Sequence, residues 1–252
     1  MQDLSKLRTA IDTIDDQIID LLNQRSQIVK NVGELKKENH SDSAFVRSGR
    51  EAEIIRKIYK KFSHKDAVFP ALAATSIWRM IICASLSLES KFNVAVYADS
   101  EIYLLAREYF GGFIDINFID NPDNLIADVV NLEYQVGVIS IEDLCDTDFP
   151  EDLKIFACLP FVLQKDKKIK AFAFAKTKPE ASSDDRHIYK LISENLLNNK
   201  DLQEVLGCNS EILVFSKQQT KNTYIISCEK ENIESNLNIK YLGTYATPII
   251  IA

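Results

Sequence analysis

The chain has 252 residues and about 28.6 kDa, 46% hydrophobic and 27% charged, which suits a globular protein of more than one domain and excludes a disordered tail or a disulfide miniature. With 30 basic against 37 acidic residues the net charge is −7, which recommends neither nucleic acid nor an anionic membrane as partner. Cys83, Cys145, Cys158, Cys208 and Cys228 are odd in number without a CxxC pair, and His40, His64 and His187 are scattered, so reduced thiols in a cytoplasmic protein are expected, with no metal and no cofactor.

The opening Met1-Gln2-Asp3-Leu4 lacks the basic and apolar regions of a signal peptide. From there Leu4, Leu7, Ile11, Ile14, Ile18, Leu21, Arg25, Ile28, Val32 and Leu35 recur at spacings of three and four, a heptad seam. The spacing predicts one helix of about 35 residues, roughly 50 Å long. Such a helix needs a second long helix, from this chain or another copy, to bury its stripe. Residues His40 to Arg47 break the pattern, and Ser48-Gly49-Arg50-Glu51 has the form of a capping box opening a second helix through about Phe62. A third helix follows Pro70 to about Leu88. Its surroundings, Ala67 to Leu88, are apolar enough to raise a membrane span, but Arg79 at the middle argues for a buried helix.

After Lys91 the periodicity changes. Strands are expected at Asn93 to Tyr97, Ile114 to Ile119, Val136 to Ile141, Ile155 to Pro160 and Ile169 to Ala175, with helices at Glu101 to Phe110 and Leu125 to Leu132. Lys176 to Asp185 reads as a polar loop. A strand at His187 to Ile192, a helix at Lys200 to Leu206 and strands at Ile212 to Ser216 and Tyr224 to Cys228 follow. The alternation marks an α/β second half.

Arg25 is the one charge in the seam and needs a partner. Lys36, eleven residues on, returns to within about 20° of the same face, so both cations can converge on one small anion. Arg8 is about 100° around the helix, and only an antiparallel copy would bring it to that cluster. Ser85 and Glu89, four apart, share a face of the third helix, and the second helix offers Arg50 and Glu51. Three cations, a hydroxyl and two carboxylates on an apolar bundle suit a small dianion carrying a hydroxyl. Plainer roles exist for each: a cap for Glu51, an interhelical salt bridge for Arg25, a backbone bond for Ser85, a solvated end for Glu89 and a surface position for Lys36.

The ordered set Leu7-Arg8, Ile11-Asp12, Ile14-Asp15, Leu21-Leu22 with Arg25, Val32-Gly33 with Lys36, Arg50-Glu51, and Ile81-Ile82 with Ser85 and Glu89 resembles the all-helical chorismate mutase family over residues 4 to about 90. The resemblance implies an intertwined homodimer with shared active sites that rearranges chorismate to prephenate, a pericyclic reaction without a cofactor. It implies that Arg25 and Arg8 of the second copy hold the substrate carboxylates and that Lys36 donates to the breaking ether oxygen. Glu51 would accept from the ring hydroxyl, Ser85 would support substrate binding near Glu89, Glu89 would join Lys36 and Arg25 as a catalytic residue by facing the ether oxygen, and Arg50 would help organise the site. Two departures stand out. Glu89 occupies a position where many relatives carry Gln, which implies activity rising as pH falls, and the longer loop before Arg50 places Arg47 where some relatives are acidic.

Residues 93 to 252 resemble, more distantly, the prephenate dehydratase part of bifunctional enzymes, in Val138-Ile139-Ser140-Ile141-Glu142-Asp143 and in Tyr241-Leu242-Gly243-Thr244-Tyr245 of an ACT-like end. The Gly-rich opening loop is replaced by Tyr97-Ala98-Asp99-Ser100, and the Thr-Arg-Phe triplet has only Asp185-Arg186-His187 or Glu211-Ile212-Leu213 as candidates. The expected architecture is multidomain α and α/β: a three-helix mutase domain at 1–91, a degenerate dehydratase-like α/β domain at 92–187 and a shortened ACT-like unit at 188–252. The expected function is a chorismate mutase of phenylalanine and tyrosine biosynthesis with a non-catalytic C-terminal region. Its rivals are a bifunctional mutase/dehydratase and a metabolite-sensing dimer with a vestigial mutase site.

Overall fold

The computed structural model describes residues 3–38, 46–97, 100–217, 221–231, 233 and 237–251, without the side chains of Lys36 and Lys37. Three helices come first: α1 (Leu4–Glu38), α2 (Ser48–Phe62) and α3 (Ala71–Glu89). There follow β1 (Asn93–Tyr97), α4 (Ser100–Phe110), β2 (Asp115–Phe118), α5 (Pro122–Val130), β3 (Val136–Ser140), α6 (Ile141–Asp146), β4 (Lys154–Leu159), β5 (Val162–Gln164) and β6 (Ala171–Ala175). The chain continues through β7 (Asp185–Ser193), α7 (Asn199–Leu206), β8 (Ser210–Lys217), β9 (Asn222–Cys228), β10 (Asn238–Ala246) and β11 (Ile249–Ile251).

The chain divides into two compact units, Met1–Ser43 with Ala84–Lys91, and Ala44–Cys83 with Phe92–Ala252. One break of this division falls after Lys91, where the first domain is expected to end, and none falls near residue 188. Helix α2 and most of α3 belong to the larger unit, and strands on both sides of residue 188 share one sheet.

In the first unit, α1 is an unbroken 35-residue helix, as the seam predicts. Its nine apolar seam residues are 42% to 64% exposed in the single chain.

In the second unit a nine-stranded sheet has the order β2-β1-β3-β6-β4-β10-β7-β9-β8, beside a two-stranded ribbon of β5 and β11. Strands β2, β1 and β3 are parallel, the geometry that crossover helices α4 and α5 impose. Beyond them β6 runs antiparallel to β3 and β4, and β10 pairs parallel with β4 and antiparallel with β7. The apolar runs of β1, β3 and β6 are buried on both faces, as continuous rather than alternating patterns require. A separate cluster of Tyr189, Leu191, Tyr224 and Ile226 is covered by Leu202 and Leu206 of α7.

Three local expectations are corrected. Strand β3 ends at Ser140 instead of running on to Ile141, and Ser140 also caps α6, its Oγ accepting from the Asp143 N–H at 2.9 Å. Strands β5, β10 and β11 and the short helix α6 have no counterpart in the periodicity. The capping box at Ser48 does not form: Arg47 is the N-cap without a side-chain cap bond, and Glu51 turns inward.

Helix α3 is long and apolar enough by length and composition to cross a membrane. Arg79 at its centre is nevertheless 6% exposed and ion-paired inside the second unit.

Candidate active site

In the first unit Arg25, the seam's single charge, donates from Nη1 to the buried hydroxyl of Ser85 on α3. This satisfies a cation at a position otherwise reserved for Leu, Ile and Val. Two turns on, Gly33 is buried because α3 passes against it, and a Cβ there would come within 3.2 Å of the Glu89 Cα. The close approach sets Glu89 beside α1 in the same order along both helices: Arg25 with Ser85, then Gly33 with Glu89. Lys36 follows Gly33 by three residues in α1, and its side chain lies outside the described residues. Arg8 is exposed about 25 Å back along the helix from Arg25, so one chain does not bring them together.

Arg50 and Glu51 belong to the second unit. Arg50 is exposed, whereas Glu51 is 5% exposed with Oε2 accepting from Arg79 Nη1 at 3.3 Å. The Arg79 guanidinium lies 4.2 Å from the Tyr109 ring centroid and 5.5 Å from that of Phe161. Burial alone would push the arginine toward neutrality, but Tyr109 and Glu51 outweigh it and hold the charge. Burial pushes the thiols of Cys83 and Cys158 up to about 12, so neither is a nucleophile near neutrality. The adjoining cavity, lined by Ile55, Thr75, Arg79, Leu105, Tyr109 and Phe161, has about 50 Å³, room for a few waters. Arg79 was visible in the sequence only as a charge interrupting an apolar run.

The loop of residues 176–184 closes over the start of α2. Glu180 Oε1 accepts from Arg47 Nη2 at 2.6 Å and Nε at 3.1 Å, and Oε2 accepts from the backbone N–H of Arg50 at 3.0 Å. Glu53 accepts from the Ser183 N–H at 2.9 Å and its hydroxyl at 2.6 Å. Arg56 donates to the carbonyls of Asp184 and Thr247 at 2.8 Å each. Burial would raise Glu180, but the donors on Arg50 and Arg47 hold it below the usual carboxylate range, and the Ser183 bonds do the same for Glu53.

In the sheet, Asp185-Arg186-His187 lies on β7 and Glu211-Ile212-Leu213 on β8. Arg186 and the second triplet line one cavity of about 350 Å³, with Lys167, Lys168 and Tyr245. Arg186 donates to Ser227 Oγ and O, both at 3.0 Å, and His187 Nδ1 lies 2.8 Å from Thr244 Oγ1. Burial lowers the His187 pKa. Ala98 and Asp99, in the segment replacing the Gly-rich loop, lie outside the described residues, as do residues 39–45 before α2. Among the described residues no group of three or more His, Cys, Asp and Glu could hold a metal ion.

Residues 7–90 match the family model for chorismate mutase type II. The chain is 32% identical over 146 residues to a bifunctional chorismate mutase/prephenate dehydratase of Aquifex aeolicus, an alignment covering 57% of this chain and 40% of that protein. The chain thus spans less than half the length of the curated relative it matches. Two solved structures align at low similarity. The prephenate dehydratase of Streptococcus mutans is 14% identical with a TM-score of 0.43, over 64% of this chain and 100% of the other. That of Arthrobacter aurescens in complex with L-Phe is 8% identical with a TM-score of 0.44, over 63% and 93%.

Removing one partner of a buried ion pair strands the other, so Arg79→Met is expected to destabilise the protein by about 3 to 5 kcal/mol in denaturant unfolding. A cost below ~1 kcal/mol would show that Glu51 does not depend on it. The lowered values of Glu180 and Glu53 fix the sign of a second effect. Their stabilisation is present above the ordinary carboxylate pKa and is lost as pH falls through the lowered folded values. The melting temperatures of wild type and Glu180→Gln should therefore differ at neutral pH and converge in acid.

Proposed function

We propose that this chain, whose residues 7–90 belong to the chorismate mutase type II family, rearranges chorismate to prephenate on the α1 and α3 helices of a homodimer. The observation that carries this reading is the Arg25 bond to Ser85 with Glu89 set one turn further along the same helix pair. A pericyclic reaction needs no nucleophile and no proton transfer. The protein has two tasks, to hold the substrate in its compact conformer and to stabilise the charge that grows on the ether oxygen.

On this reading Arg25 holds one substrate carboxylate and Arg8 of the second copy the other, Ser85 orienting the Arg25 fork. Lys36 donates to the ether oxygen. Glu89, set against Gly33 of α1, faces the same oxygen, to which only a neutral carboxyl could donate. Glu51, steadied by Arg79, accepts from the ring hydroxyl, and Arg50 completes the charge around the substrate. The nine exposed apolar seam residues of α1 support the second copy, because a stripe of this length asks for a partner. Five cysteines outside any disulfide suit a reducing, cytoplasmic setting, and the net charge of −7 suits a small-molecule substrate better than nucleic acid or a membrane.

A second reading adds prephenate dehydratase activity in residues 92–252. The bifunctional relative and the cavity containing Arg186 favour it. Against it stand the absent Thr-Arg-Phe triplet and the Arg186 fork, already bonded to Ser227. Incubating purified protein with chorismate, and separately with prephenate, decides: loss of chorismate absorbance marks the mutase, and phenylpyruvate marks the dehydratase.

Arg25→Ala is expected to lower kcat/KM by two to three orders of magnitude, about 2.7 to 4 kcal/mol of transition-state stabilisation, in a chain that remains folded. Near wild-type turnover would remove Arg25 from the site. Mixing inactive Arg8→Ala with inactive Lys36→Ala chains should recover activity, because each heterodimer regains one intact site. Exchanged heterodimers without activity would exclude a shared site.

A further inference from the structure

Helix α2 carries Arg50 and Glu51, yet the group that completes its N-terminus comes from 130 positions further along the chain. The first N–H groups of a helix have no acceptor within it. Arg47, at the N-cap, supplies none from its side chain. The Glu180 carboxylate does so instead, taking the Arg50 N–H on one oxygen and the Arg47 guanidinium on the other. A negative charge at this end also meets the positive pole of the helix.

The contact is built from both sides. Gly49 is buried beneath the loop backbone, where a Cβ would stand 2.1 Å from the Ala181 carbonyl oxygen, so a side chain there would expel the loop. One turn along, Glu53 and Arg56 bind Ser183, Asp184 and Thr247, extending the hold over the first half of the helix. Helix α2 also packs on β10.

We propose that Glu180 is a positioning residue for the mutase reaction. Its carboxylate fixes the first turn of α2 and so sets the direction of the exposed Arg50, which the mutase reading assigns to the substrate. The inference rests on the mutase reading of α2, and it gives the α/β region a part in that reaction that needs no catalysis of its own. The bonded atom is the backbone of Arg50, so any shift of the turn moves that side chain directly. Charged groups that hold a small dianion lose much of their effect when displaced by an ångström.

The test uses full-length wild type, Glu180→Ala and Glu180→Gln, with initial rates against chorismate concentration and circular dichroism for the folded fraction. Loss of a helix cap of this kind corresponds to about a tenfold effect. Glu180→Ala should raise KM about tenfold with a smaller change in kcat. Glu180→Gln keeps a neutral acceptor for the Arg50 N–H and should recover most of that loss. Wild-type KM in both variants overturns the proposal while leaving the mutase reading intact. So does a fall in kcat at constant KM that tracks the folded fraction. If Glu180→Ala does not fold, the KM of Glu180→Gln decides, a rise of about two- to threefold supporting the role and an unchanged value overturning it. A wild-type chain that leaves chorismate unconsumed overturns the mutase reading and the positioning role together.

Discussion

A helix of 35 residues with an apolar stripe along its length is the constraint from which the proposed site follows. At about 50 Å it outruns the diameter of a small domain, and its seam residues stay exposed in the single chain. On the proposed reading the stripe is closed by a second copy. The same length then sets the spacing of the two sites, because Arg8 and Arg25 lie on one helix but serve different substrates. Arg25 is tolerated in that seam because Ser85 accepts from it, and Gly33 is small because α3 must come close enough to bring Glu89 alongside.

Features carried by short-range pattern were legible. The heptads foretold α1, and the lone Arg within them marked the residue that bonds to Ser85. The buried runs of β1, β3 and β6 were recognisable as strands because a doubly covered sheet asks for continuous apolar segments. What failed was set by distant partners. Strand β10, Asn-Ile-Lys-Tyr-Leu-Gly-Thr-Tyr-Ala, mixes polar and apolar residues and owes its form to strands on both sides. Ser48 and Glu51 have the spacing of a capping box, but Glu180 occupies the cap, and Glu51 is drawn inward by Arg79. No local signal connects residues 130 positions apart.

Helix α2 shows how one short element can serve two demands. Its inner face supplies Ile55 and Ile58 to a core, and its first turn carries the charges that the family resemblance assigns to substrate. The carboxylates around it have different tasks: Glu51 balances a buried cation, while Glu53 and Glu180 fasten a loop. Replacing any one tests a different part of the molecule.

Strand β10 also bears on how the larger unit is made. It lies between β4 and β7, so residues 238–246 fill the interior of a sheet whose neighbours are synthesised long before. Until they emerge from the ribosome, β4 and β7 each present an unpaired edge. Pairings this far apart in sequence close slowly. During biosynthesis the nascent chain therefore passes through an interval in which its sheet is split in two, when chaperone capture competes with aggregation.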